Sequence, residues 1–185
     1  MKKDFTSGDS WNNAAIAGLI LAVVTIAMET IGGLCGKLGG FTGSFLGFIA
    51  WAGKLILCAV VFSKLLKRFH NEYADVDYPR LQRYGLKLAL FSSLLVAAWS
   101  IINLLYIKPD AFEEMMDVMR TSYSSMMDSN TEAAMEKMLP KMPFYLAIGS
   151  FIYCFIWGWL YSTLFSRSTA NDDPFADSEE TIDNQ

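Results

Sequence analysis

Hydrophobic residues of this chain fall in four long blocks, separated by polar or glycine-rich segments. The blocks occupy residues 14–35, 41–62, 88–107 and 143–165. Each block is long enough to cross a lipid bilayer, because a spanning helix needs about 20 predominantly apolar residues. A soluble domain would instead show its apolar residues at amphipathic spacing. The pattern predicts an all-α polytopic membrane protein with four transmembrane helices in two antiparallel hairpins.

The predicted spans together form one membrane domain over residues 11–168. They cover residues 12–35, 41–66, 82–107 and 143–166. Asn12 can cap the first helix, since its side-chain oxygen can accept a bond from the first N–H groups of a helix. Residues 1–10 are polar and residues 169–185 are acidic. Neither terminus carries enough apolar surface to pack a core, so we expect both to be disordered.

Two charged residues interrupt the first two spans, Glu29 in the first and Lys54 in the second. A charge at the centre of a spanning helix costs about 2.5 to 3.5 kcal/mol, so such a residue usually faces a partner or a cavity. With a turn near residues 36–40, Glu29 lies about 9 Å and Lys54 about 20 Å below the turn side of the membrane. Helical side chains lean toward their own N-terminus, which directs these two toward each other. We expect an intramembrane ion pair, which either fixes the packing register or forms a polar site for a proton, an ion or a ligand.

Small residues share the helix faces of these two charges. Small side chains let membrane helices approach closely, which matters because lipid provides no hydrophobic drive for helix association. The glycines that we expect at helix contacts are Gly18, Gly32, Gly36, Gly43 and Gly47.

Residues 109–140 form the one sizeable element that we predict outside the membrane. Methionines recur at helical spacing over residues 115–127, among acidic residues. This pattern predicts an extracytoplasmic amphipathic helical segment, in which methionine serves as adaptable filler. Thioether sulfur would also suit copper(I), but no His or Cys joins the methionines. We therefore assign no metal and no cofactor.

Composition narrows the classes of function. Of the 185 residues, 53% are hydrophobic and 18% are charged, with a net charge of -4. No basic stripe with interleaved aromatic residues occurs, so we expect no nucleic-acid partner. Catalysis inside a membrane needs a nucleophile with a base, or a cluster of metal ligands. The one histidine, His70, lies in a polar connector, and we predict that the protein is not an enzyme.

The distribution of basic residues predicts the orientation. The segment 63–87, around the connector between the second and third spans, holds six Lys or Arg, whereas the turn after the first span holds only Lys37. The positive-inside rule then assigns this connector and both termini to the cytoplasm. Lys2, Lys3 and Arg167 agree with that assignment.

Several short motifs combine with this layout: the Lys54-bearing, glycine-rich second span, the extended segment before the last span, the Trp11-Asn12-Asn13-Ala14 opening with Gly18, and the Tyr84-Gly85 start of the third span. In these features the chain resembles, over roughly residues 10–166, the bacterial four-helix integral membrane family catalogued as domain of unknown function 4199 (DUF4199). The resemblance implies a location in the inner membrane of bacteria, in particular of the Bacteroidetes. It implies no reaction.

Two roles remain open at this point. The first is a non-enzymatic accessory or scaffolding protein of the inner membrane, which acts through helix–helix or partner contacts. The alternative is a small oligomeric transporter or channel subunit that uses the Glu29/Lys54 site. Four spans are few for a pathway within a monomer, and no inverted repeat is evident, so the alternative predicts a homo-oligomer. The expected partners are the lipid bilayer and a second copy or another membrane protein.

Overall fold

All regular elements of the described chain are helices. The computed structural model describes residues 7–36, 40–73, 76–107, 109–123, 137–138 and 141–170. The helices are α1 (Ser7–Gly36), α2 (Gly40–Glu72), α3 (Tyr78–Ile102), α4 (Pro109–Tyr123) and α5 (Met142–Ala170). A π-helical segment, Asn103–Ile107, directly follows α3. Pro109 then occupies the first position of α4, where its missing N–H group costs nothing.

Four helices are long and apolar enough to span a membrane. The spanning stretches are Gly8–Leu34, Phe45–Glu72, Tyr78–Ile107 and Met142–Thr169. Only 11% to 33% of each apolar window is buried within the protein. Helices this apolar would be mostly buried in a water-soluble protein, so their outer faces suit lipid. The predicted all-helical fold with four candidate spans is confirmed, whereas the two-hairpin arrangement stays a prediction.

The helices begin and end further out than the hydrophobic blocks suggested. α1 starts at Ser7, so Asn12 lies inside the helix and is not its cap. Residues 7–10 are likewise helical, although we expected them to be disordered. α2 continues to Glu72 and α3 starts at Tyr78, which shortens the expected polar connector to a few residues.

Some predictions fall partly or wholly outside the described residues. These include the disorder of residues 1–6 and 171–185, and most of residues 124–140 of the predicted amphipathic segment. Residues 169–170, which we expected to be disordered, are the end of α5. Within residues 109–140, α4 is amphipathic, with Met116 buried and Asp117 exposed.

The chain divides into two compact units. The first comprises residues 1–92 and 155–185, and the second comprises residues 93–154. In the first unit, segments of α1, α2, α3 and α5 pack as a four-helix bundle around a common core. Its most buried large side chains are Phe62, Leu66, Phe69, Leu81, Tyr84 and Leu88. In the second unit, α4 contacts the π-helical segment, and Ser100 Oγ lies 3.3 Å from Ser150 Oγ.

Candidate functional site

The two charged residues of the first two spans meet each other. Lys54 Nζ donates a hydrogen bond to Glu29 Oε1 at 3.0 Å, so the ion pair is direct and needs no bridging water. The Lys54 side chain is 13% exposed and the Glu29 side chain 33% exposed. Both residues lie within spanning stretches. Each charge therefore compensates the other where an isolated charge would be costly.

The ion pair is the middle of three contact layers between α1 and α2, which we call the α1–α2 seam. One turn away, Thr25 Oγ1 lies 3.5 Å from Cys58 Sγ and also donates to Leu21 O at 2.8 Å. On the other side, a Cβ added to Gly32 would lie 3.7 Å from Ala50 Cβ. Residue numbers rise along α1 as they fall along α2. The two helices are therefore antiparallel in the seam.

The register of the seam differs from the one assumed in the sequence analysis. We expected Glu29 and Lys54 at different depths, bridged by the lean of their side chains. Instead, Gly32 lies opposite Ala50, and α2 extends about six residues, or about 9 Å, further beyond this layer than α1 does. This offset brings the two charged residues into one layer. The expectation was wrong because it placed the end of α1 and the start of α2 at the same depth in the membrane.

The five glycines expected at helix contacts have different surroundings. Gly32 contacts α2 in the seam, and Gly18 lies so close to α3 that an added Cβ would be 2.7 Å from a Cβ atom of that helix. At Gly47, an added Cβ would meet no atom of the described residues within 4 Å. Gly43 is buried, and the surroundings of Gly36, the last residue of α1, are not among the described ones.

Other close contacts, which the sequence analysis missed, join α3 and α5. A Cβ added to Gly85 would collide with Ser162, and one added to Gly158 would collide with Ala89. Ser162 Oγ also donates to the backbone oxygen of Gln82 at 2.9 Å. The signal was available as small residues spaced four apart in both helices, a pattern typical of close helix pairs in membranes.

A second polar site lies where the start of α1 meets the end of α2. It is an open cavity of about 360 Å³. Its polar lining is Asp9, Asn12, Asn13, Arg68 and Glu72, and its remaining lining is Ile16, Ala17, Ile20, Leu65, Tyr73 and Tyr84. The charged residues lie near the helix ends, and the aliphatic residues lie further into the spans. We call this feature the end cavity.

The start of α3 holds one wall of the end cavity in position. Tyr84 is 1% exposed, and its hydroxyl donates to Asn13 Oδ1 at 3.2 Å. Its ring stacks on Phe69 with a centroid distance of 3.7 Å. Lys87 Nζ donates to Ser10 Oγ at 3.1 Å, which also joins the first turns of α1 to α3. No sequence pattern predicted the end cavity, because its residues come from three helices and its charged members lie outside the apolar blocks.

Four candidate spanning helices with an internal ion pair define a multi-pass helical membrane protein. The chain belongs to the family described as Protein of unknown function (DUF4199), whose model matches residues 12–167. This is the family that the sequence motifs resemble. Comparison with curated proteins and with solved structures finds no match. The family description assigns no function.

Proposed function

We propose that the chain is a non-enzymatic protein of the bacterial inner membrane, with an accessory or scaffolding role that it performs through helix–helix or partner contacts. The direct contact between Glu29 and Lys54 is the observation that carries this proposal. The two charged groups are 3.0 Å apart and compensate each other within the seam. An ion that displaced Lys54 from Glu29 would remove this partner from the better-buried of the two charges. Neither residue lines the end cavity.

The outward faces of the helices support a role based on contacts. α2 exposes the large apolar side chains of Phe45, Phe48 and Ile56. Apolar side chains gain little by moving from lipid to a partner helix, so association in a membrane depends on close packing. Gly47 of α2, which has open space beside it, allows such an approach.

The proposal includes a topology of two antiparallel hairpins, with cytoplasmic termini and with residues 109–140 outside the cytoplasm. Its support is the position of basic residues at one set of helix ends. The end of α2, the start of α3 and the end of α5 carry Lys64, Lys67, Arg68, Arg80, Arg83, Lys87 and Arg167. Such clusters favour the cytoplasmic side of a membrane.

The alternative role is that of an oligomeric transporter or channel subunit. One observation favours it: a third of the Glu29 side chain is exposed, so a neighbouring copy or water has access to the carboxylate. In this role Glu29 faces a polar path between copies, and Lys54 remains its ion-pair partner.

Reconstitution of the full chain in proteoliposomes distinguishes the two roles. We expect no flux of H⁺, Na⁺ or K⁺ beyond that of protein-free vesicles, and a stoichiometric oligomer or partner after crosslinking in native membranes. Glu29→Gln is compared with Glu114→Gln, a matched change at an exposed position of α4. A flux that Glu29→Gln abolishes and Glu114→Gln leaves intact would contradict the accessory role and support transport.

A further inference from the structure

The end cavity changes from charged to apolar along its length. Asp9 and Glu72 lie toward the helix ends, whereas Ile20 and Leu65 lie further into the spans. Asp9 and Ile20 are separated by about 16 Å of helix. A phospholipid shows the same change of polarity, because its headgroup lies in the polar layer and its acyl chains lie in the hydrocarbon core.

The charged lining carries both signs. Arg68 contributes a planar guanidinium group, which suits the oxygen atoms of a phosphate. Asp9 and Glu72 contribute carboxylates, which suit an ammonium group. A ligand that carries only negative charge would meet the guanidinium group but also the two carboxylates of the lining. The complementary ligand therefore has a phosphate and an ammonium group.

We propose that the end cavity binds a phospholipid whose headgroup contains a phosphate and a primary ammonium group, as in phosphatidylethanolamine. Arg68 binds the phosphate, Asp9 and Glu72 bind the ammonium group, and an acyl chain follows Ile20 and Leu65. The volume of about 360 Å³ is at the lower end of the range for small-molecule sites, which suits a headgroup.

Two further features support this ligand. The wall formed by Tyr84 is preorganised, since its hydroxyl is bonded to Asn13 and its ring is stacked on Phe69. Preorganised groups bind a ligand without the entropic cost of ordering them. A primary ammonium can also donate hydrogen bonds to carboxylates, whereas the quaternary ammonium of choline cannot. Phosphatidylethanolamine is therefore preferred over phosphatidylcholine, and this preference does not depend on the accessory role.

Native mass spectrometry of the delipidated full chain tests the proposal. The chain is mixed in turn with phosphatidylethanolamine, phosphatidylcholine and phosphatidylglycerol of identical acyl chains, and separately with soluble phosphoethanolamine. We expect phosphatidylethanolamine to be retained about tenfold more strongly than the other two lipids, the size of effect that one charge-assisted hydrogen bond provides. Arg68→Gln weakens the retention of all three lipids, because each carries the phosphate that Arg68 binds, whereas Glu72→Gln removes most of the preference for phosphatidylethanolamine. Arg167→Gln and Glu114→Gln, matched changes at exposed positions outside the cavity lining, preserve it.

The proposal would be overturned by equal retention of all three lipids, by a preference for phosphatidylglycerol, or by equal behaviour of Arg68→Gln and Arg167→Gln. Displacement of the lipid by an equal concentration of soluble phosphoethanolamine would instead assign the cavity to a soluble phosphate compound, which also overturns it. Should Arg68→Gln fail to fold, the headgroup comparison on the unaltered chain and the Glu72→Gln variant still decide the question.

Discussion

Glu29 and Lys54 differ in how much of each side chain the protein covers. Lys54 is the more buried of the two, and its ammonium group contacts the Glu29 carboxylate. Glu29 keeps a third of its side chain exposed. Removal of the carboxylate therefore leaves the better-buried charge without this partner. Substitution of Glu29 and substitution of Lys54 therefore remove the same contact, but the charges that they leave behind differ in burial.

A double-mutant cycle measures the coupling of the pair. We expect Glu29→Leu to lower the free energy of unfolding in detergent by about 3 kcal/mol and Lys54→Met to lower it by less, because each removes the partner of a charge in the seam and Lys54 is the better buried of the two. The double variant should recover most of this loss. Lys64→Met, at an exposed position of the same helix, serves as the control. Single variants as stable as the unaltered chain would show that the contact does not stabilise the fold, and a hydrated polar site would then be favoured.

The sequence was sufficient to single out these two residues and insufficient to place them. A charge within an apolar block is visible in the sequence, and its cost implies a partner. The depth of each charge depends on the register of α1 against α2, which is set by contacts such as Gly32 with Ala50. No local pattern encodes that register. The charged residues of the end cavity were missed for a related reason, since polar residues at helix ends look the same whether or not they surround a cavity.

At the scale of the helix pair, the α1–α2 seam is testable by crosslinking. A Cβ added at position 32 would lie 3.7 Å from Ala50 Cβ, which is within the range of about 3.5 to 4.5 Å found in disulfides. We expect Gly32→Cys with Ala50→Cys to form a disulfide on mild oxidation, in a background where the three native cysteines are replaced. The measurement is maleimide labelling of the monomer, in which neither cysteine should react once the disulfide has formed.

The control for this experiment pairs Gly32→Cys with Gly47→Cys. A Cβ at position 47 has no neighbour within 4 Å among the described residues, so this pair should remain reduced. Equal crosslinking of the two pairs would contradict the antiparallel register. Retention of both thiols in the 32/50 pair would do the same.

The contact of α1 with α3 depends on the absence of a side chain at Gly18. An added Cβ would be 2.7 Å from Phe91 Cβ and 3.0 Å from the backbone oxygen of Leu88, which cannot move without shifting α3. We expect Gly18→Ala to lower the free energy of unfolding by about 1 to 3 kcal/mol, the usual cost of overpacking. Thermal unfolding in detergent provides the measurement.

Gly47→Ala is the matched comparison for Gly18→Ala. Both substitutions gain up to about 1 kcal/mol of helix propensity, but position 47 has space for the methyl group. Gly47→Ala should therefore be neutral or slightly stabilising. Equal stability of the two variants would contradict the close approach of α1 to α3 at Gly18.

The helices themselves were largely predictable, whereas their ends were not. Apolar blocks identify spans because a spanning helix must be apolar over most of its length. The first turns of α1 are polar and still helical, because their polar groups have partners on α3: Ser10 accepts from Lys87 and Asn13 accepts from Tyr84. Such partners become visible only when the helices are assembled.

For the whole molecule, the proposed orientation rests on the basic residues at one set of helix ends and is open to a direct test. In a background without native cysteines, Asn71→Cys lies at the end of α2 and Asp117→Cys lies on α4, both at exposed positions. We expect a membrane-impermeant maleimide to label Asp117→Cys in spheroplasts, and to label Asn71→Cys only after the membrane is permeabilised. The opposite labelling pattern would invert the topology.

The ion pair also has a consequence for how the chain enters the membrane during synthesis. Glu29 emerges from the ribosome 25 residues before Lys54. Until then, α1 alone would carry its carboxylate into the membrane at a cost of up to about 3 kcal/mol. Contact with Lys54 lowers this cost, so release of α1 from the translocon into lipid becomes more favourable once Lys54 has been made. Replacement of Lys54 should therefore slow insertion of the helix pair as well as weaken the finished protein.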